Sequence, residues 1–202
     1  MSVILHKNDL PDDLDLGKIV AIDTETMGLL PHRDRLCLVQ ISSGDGSAHL
    51  VQMLDPEFNA PNLKRLVADP SVLKLFHFAR FDVAIMKQYL GVDCPNIYCT
   101  KIASKLVRTY TDKHGLANLC RELIGVEISK QCQSSDWGAQ ELSTEQMNYA
   151  ASDVYYLHQL KTRLDVMLAR EGRTEMAQTC FDFIATRAAL DLSGTYDDLF
   201  HH

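Results

Sequence analysis

The chain has 202 residues, 46% of them hydrophobic and 23% charged, with a formal net charge of -7 at pH 7. That length suits one compact domain, or a domain with a helical extension, and no apolar run approaches the roughly 20 residues needed to cross a bilayer. The acidic balance argues against a surface that grips long nucleic acids by their phosphates, and favours a small anionic substrate or a local basic patch.

The N-terminal stretch Met1-Ser2-Val3-Ile4-Leu5-His6-Lys7 has neither the apolar region nor the cleavage site of a signal peptide. The six cysteines (37, 94, 99, 120, 132 and 180) are scattered, with no Cys-x-x-Cys pair. Reduced thiols in a cytoplasm are therefore the expectation, and a zinc site is not.

In chain order, residues 18–23 predict a buried strand, 36–42 a second and 48–53 a third. Ser43-Gly44-Asp45-Gly46 supplies hairpin chemistry between the last two. Residues 60–68 predict a helix and 72–76 another strand. Over 80–89 the apolar residues Phe81, Ala84, Ile85 and Tyr89 recur at helical spacing until Gly91 ends the run. Beyond Thr100 no strand signal stands out, so the second half is expected to be largely helical. Its best-specified helix runs over 144–170. It opens with the capping box Ser143-Thr144-Glu145-Gln146 and carries an apolar stripe of Met147, Ala150, Ala151, Val154, Leu157, Leu160, Leu164 and Leu168.

Three acidic stations punctuate this pattern. The first strand delivers Asp23-Thr24-Glu25, and residues at i and i+2 on a strand share a face. The fourth strand leads into His77-Phe78-Ala79-Arg80-Phe81-Asp82, and the long helix carries Tyr149 and Asp153 one turn apart at the margin of its stripe. Each station alone has an ordinary reading: a turn-forming acid, a first-turn acid favoured by the helix dipole, a buried hydrogen-bonded pair. Acids at the tips of buried elements are nonetheless costly unless something cationic meets them. One centre collecting all three is most simply a pair of divalent metal ions, the device that cleaves phosphodiesters.

The order and context of these residues resemble the DEDD-type 3'-5' exonucleases of the tyrosine subclass, within the ribonuclease D-like group. Asp23 and Glu25 match the first motif, Asp82 the second, and Tyr149 with Asp153 the Tyr-x-x-x-Asp third motif. The likeness runs through Thr100-Lys101-Ile102-Ala103-Ser104-Lys105-Leu106 and Ser134-Ser135-Asp136-Trp137, so it covers roughly residues 18–165. A narrower similarity is to the nano-RNase C type, the short ribonuclease D-like enzymes of alphaproteobacteria. Asp23-Thr24-Glu25-Thr26-Met27-Gly28-Leu29, Pro31-His32-Arg33-Asp34-Arg35-Leu36-Cys37, the His77–Asp82 segment and Ile128-Ser129-Lys130-Gln131 carry it. One departure stands out: Phe78 occupies a position where many members of the wider superfamily have Asn.

The resemblance implies a ribonuclease H-like α/β fold with a mixed central sheet and a helical C-terminal half. It implies a single exonuclease domain over residues 1–202, with the motifs within 18–165 and a helical extension over 173–202. There is no room for the C-terminal nucleic-acid-binding helical domain of full-length ribonuclease D. Asp23, Glu25, Asp82 and Asp153 would hold two Mg²⁺ or Mn²⁺ ions, which hard carboxylate oxygens suit. Tyr149, with a phenol that ionises near pH 10, would position the attacking water rather than act as a full base.

The expected activity is 3'-5' exonucleolysis of very short oligoribonucleotides, dinucleotides especially, to 5'-mononucleotides. The rival readings are a general 3'-5' exonuclease on longer RNA or DNA, and an inert nucleotide-binding module. Among substrate contacts, Thr24 belongs to the first motif; Leu29 reads as a wedge between two bases or as core; His77 as a contact to phosphate or sugar, or as a structural histidine. Trp137 reads as a stacking partner or a loop anchor. Arg80, Lys101, Lys105, Arg108 and Lys130 read as a local anion patch or as solvated charge. Finally, the apolar residues from Phe181 to Leu192 and on through Tyr196, Leu199 and Phe200 exceed what one core needs. A homo-oligomer is therefore expected, which the resemblance makes an octamer.

Overall fold

The strand that carries the paired acids sits where burial is deepest. In the computed structural model, which describes residues 1–129, 132 and 134–194, this strand is β2, Ile19–Thr26. Val20, Ala21 and Ile22 have no solvent exposure. It runs three residues beyond its expected end because Asp23, Thr24, Glu25 and Thr26 continue to pair with β3, Leu36–Ser42. β3 turns through Gly44 and Gly46, both at positive φ, into β4, Ser47–Gln52, as the hairpin chemistry predicts. On the other side of β2, the strand β5, Leu73–Phe76, lies parallel to it.

Two strands escaped the sequence reading. β1, Ser2–Lys7, is mostly exposed and joins β4 in parallel as an edge, and β6, Ile97–Cys99, is three residues long and pairs with β5. Neither has the apolar alternation that marks a half-buried strand. The sheet order is β1-β4-β3-β2-β5-β6, mixed as expected, with β3 antiparallel to both of its neighbours, β2 and β4, and the pairs β1-β4, β2-β5 and β5-β6 parallel.

The helices close both faces. α1 is Pro61–Ala68 and α2 is Ala79–Leu90, ended by Gly91 at φ 69°. α3, Thr100–Val107, follows β6, and α4, Leu116–Leu119, runs on into one π-helical turn, Cys120–Ile124. The expected long helix over 144–170 is two helices. α5, Thr144–Tyr155, opens with the capping box, Ser143 and Gln146 each bonding the other's backbone; α6 is Leu157–Arg170. Tyr156, at φ -106° and ψ -4°, breaks the run. The reason is a change of partner: α5 lies against β2, β3 and β4, whereas α6 packs on α3 and β5. The apolar stripe is continuous across the break, so periodicity alone does not reveal it.

The C-terminal extension forms α7, Thr174–Asp182, and α8, Ile184–Leu192. Phe181, Ile184 and Ala188 are buried in the main core, so this part of the extension closes the domain rather than leaving an apolar face. The residues expected to carry the exposed apolar patch, 196–200, lie outside the described residues. Among the described residues, no helix is long and apolar enough to cross a membrane.

Candidate active site

β2 ends beneath α5, and that meeting builds the site. Asp23 and Glu25 project from one face of the strand, and Asp153 comes down from α5; ligand atoms of the three lie within 4.8 Å of one another. Tyr149, one turn before Asp153, lines the same cleft, and its phenol favours the ionised Asp153 carboxylate. Asp82 enters from the first turn of α2 and is 3% exposed; its Oδ1 accepts the Thr24 hydroxyl at 2.7 Å. The hydroxyl of Thr24, expected at the substrate, is thus spent on holding Asp82.

A strained turn delivers Asp82. Phe78, immediately before α2, sits at φ 76° and ψ 42°, in the left-handed region. Asn tolerates that conformation, and a bulky side chain does so at a cost of about 1–2 kcal/mol. The Phe-for-Asn departure therefore keeps the turn and loses the amide. The Phe78 ring instead lies under Lys101 Nζ, 4.1 Å from its centroid.

The four acids are held against their ionisation. Burial, then Asp82, Asp153 and Glu25, push the Asp23 carboxyl well above the usual range. Glu25 rises to about 9 through burial and the charges of Asp153 and Asp82. Asp82 rises to about 7 by burial, against the stabilising Thr24 bond, and Asp153 to about 7 by burial, against the lowering influence of the Tyr149 phenol. No lysine, arginine or histidine contributes to any of these shifts. The site is a concentration of anionic oxygen that the described residues leave uncompensated. Burial and these carboxylates also push the Tyr149 phenol up, so it stays protonated and acts as a donor.

Asp23, Glu25 and Asp153 line a cleft of about 660 Å³ together with Leu29, His77, Trp137 and Tyr149, and the buried Asp82 is not part of that lining. Leu29 is 82% exposed, which removes its reading as core. The loop behind it is pinned: Asp34 Oδ2 accepts from Leu30 N at 2.9 Å, and Thr26 donates to the Gly28 carbonyl. A Cβ on Gly28 would fall 2.2 Å from that Asp34 oxygen, so only glycine fits. Trp137 is 3% exposed and packs with Cys37, Leu38, Leu50 and Ala150, its ring 6.1 Å from that of Tyr149. That burial makes it an anchor behind the tyrosine with one edge toward the cleft.

His77 has a defined tautomer. Thr100 Oγ1 donates to the Phe76 carbonyl at 3.0 Å, so its lone pair accepts from His77 Nδ1 at 2.9 Å. Burial, then Lys101, lower this histidine to about 3. The imidazole is neutral, and Nε2, which has no protein partner among the described residues, is an acceptor.

Two of the five cations expected in a basic patch are engaged within the protein. Arg80 is absent from the cleft lining; its Nε and Nη2 grip Asp191 of α8 at 2.5 and 2.6 Å. Arg108 is fully buried and bonds Glu122, Ser104 and the Lys113 carbonyl. Lys130 lies outside the described residues. Other walls of the cleft, Phe81 and Gly115-Leu116-Ala117, carry no sequence signal for such a role, since they are apolar residues placed there by the packing of α2 and α4.

Comparison with known proteins agrees with this geometry. Residues 7–169 match the model of the 3'-5' exonuclease family. The Brucella melitensis NrnC structure with bound Mg²⁺ is 53% identical, covers 100% of both chains and superposes with a TM-score of 0.95. The same Brucella protein bound to pGG is 53% identical, covering 100% of this chain and 99% of that one, again at 0.95. The ribonuclease D of Gluconacetobacter diazotrophicus is 36% identical over 156 residues, which is 77% of this chain and 39% of that protein. The chain thus spans about two fifths of the length of the curated relatives it matches.

Proposed function

This chain belongs to the 3'-5' exonuclease family, and on that premise we propose that it is a metal-dependent 3'-5' exoribonuclease. It degrades very short oligoribonucleotides, dinucleotides above all, and releases 5'-mononucleotides. The observation that carries the reading is the convergence of Asp23, Glu25 and Asp153 within 4.8 Å, in a cleft that Tyr149 also lines.

The donor set fits divalent cations. Hard carboxylate oxygens surround a site where no protein cation neutralises them. Asp23, Glu25 and Asp153 would hold one Mg²⁺ or Mn²⁺, and Asp82 would help hold a second. When bound, these ions polarise the phosphate and neutralise the charge of attacking and leaving oxygens. The chain's own groups do the rest. Tyr149 donates to and orients the attacking water. Leu29 separates the two bases at the mouth of the cleft. His77 Nε2, an acceptor, meets a sugar hydroxyl and not a phosphate oxygen, which has no proton to offer.

Short substrates fit the charge distribution among the described residues. Arg80 and Arg108 are engaged within the protein, and the formal charge is -7. Extra phosphates therefore add little affinity. The similarity to a protein solved with pGG supports the same length class. We place the enzyme in the cytoplasm, as its free cysteines suit, in a single domain assembled as a homo-oligomer, an octamer by resemblance to the nano-RNase C type. Light scattering that gives a monomer removes the assembly and leaves the hydrolytic reading intact.

The test is a length series. Purified protein with Mn²⁺ is offered end-labelled RNAs of two, seven and twenty nucleotides and the matching DNAs. The dinucleotide should be cleaved at least as efficiently as the longest RNA, with a shallow salt dependence. A strong preference for the twenty-mer or for DNA would favour a general exonuclease.

A further inference from the structure

Gln40 lies on β3 directly across the ladder from Asp23. Opposed residues of antiparallel strands share a face, with Cβ atoms about 4.5–5.5 Å apart, within reach of a glutamine amide. The face is the one under α5, because Leu38, two residues earlier on β3, packs against Trp137, Ala150 and Tyr149. Gln40 is fully buried there, and neither its Oε1 nor its Nε2 has a hydrogen-bond partner among the described residues. Leaving a buried amide unpaired costs about 1–3 kcal/mol, which a leucine or methionine in the same space would avoid. Beside it, the Asp23 carboxylate accepts no hydrogen bond from any described residue.

We infer that Gln40 is a positioning residue of the metal site, its Nε2–H donating to the Asp23 carboxylate when that group holds a cation. The inference rests on the metal-dependent reading above. The chemistry suits an amide better than any charged group. A lysine here would compete with the metal for Asp23, and a further acid would add to the repulsion. An amide fixes the orientation of the carboxylate and leaves its charge for the cation.

The experiment compares full-length wild type, Gln40→Met and Gln40→Leu, with Asp23→Asn as a reference, by Mn²⁺ titration calorimetry and by thermal unfolding in chelator. Both Gln40 variants should unfold at or above the wild-type temperature without metal, yet bind Mn²⁺ about 10–100-fold more weakly. Mn²⁺ affinity within about twofold of wild type in the folded variants would overturn the inference, as would a lowered metal-free unfolding temperature in both. Failure of wild type itself to bind Mn²⁺ would overturn the metal reading and this one with it. Binding by wild type that is lost in Asp23→Asn but undiminished in Gln40→Met would overturn this one alone.

Discussion

Replacing Asp82 by Asn separates the stability of the fold from the function of the acid. Asp82 is 3% exposed, and its carboxyl is raised from 3.8 to about 7. A folded-state value above the unfolded one means that the native protein holds its proton more tightly. The resulting penalty is absent below the unfolded value, grows as pH rises from about 4 to about 7, and is full above that. At about 1.4 kcal/mol per tenfold, the upper bound is about 4 kcal/mol; relaxation around the ionised group lowers it to about 2–4 kcal/mol. Asn keeps an acceptor for the Thr24 hydroxyl and has no charge to bury. In chelator at pH 8, Asp82→Asn should therefore be more stable by about 2–4 kcal/mol, or about 5–15 °C in midpoint for a chain of this size. By pH 4.5 the gap should fall to about 1 kcal/mol or less. Urea and thermal unfolding at the two pH values measure it, and hydrolysis by the same variant with Mg²⁺ should be lost. A variant no more stable at pH 8 than wild type, or one that hydrolyses normally, would refute the reasoning.

Other outcomes follow from the same geometry. Tyr149→Phe keeps the ring against Trp137 and removes the hydroxyl that would orient the water, so turnover should fall by about 100-fold or more with an unchanged unfolding midpoint; unchanged kinetics would make the tyrosine structural. Glu25 near 9 and Asp153 near 7 must shed protons to bind a cation, so Mg²⁺ affinity should rise between pH 6 and 9 with proton release. Calorimetry in buffers of different ionisation enthalpy reads that release, and a pH-independent affinity would contradict it. Leu29→Ala should raise KM for a dinucleotide while leaving the fold untouched, because the side chain is 82% exposed; an unfolded variant or an unchanged KM would remove the wedge role.

What the sequence shows clearly is what local chemistry determines. The buried run before Asp23, the hairpin at 43–46, the Gly91 stop and the capping box at Ser143 each have a side-chain or backbone cause within a few residues. The acids share a face because strand and helix periods place them there. The misses come from long-range pairing. β1 is a strand only because β4 offers an edge, and the break at Tyr156 exists because α5 and α6 have different partners. Arg80 and Arg108 look like free cations in one dimension; their partners, Asp191 and Glu122, are 111 and 14 residues away. Gln40 carries no signal at all, since a single buried amide has meaning only once Asp23 stands opposite it.

The most direct measurement is one of polarity and metal dependence. A 5'-labelled heptaribonucleotide is incubated with the purified protein, with Mg²⁺ or with chelator, and with its 3' end free or blocked. Stepwise shortening from the free 3' end, with release of 5'-mononucleotides, is expected with Mg²⁺ and in no other arm. Equal cleavage of the 3'-blocked RNA, or cleavage that persists in chelator, would contradict a metal-dependent 3'-5' exonuclease.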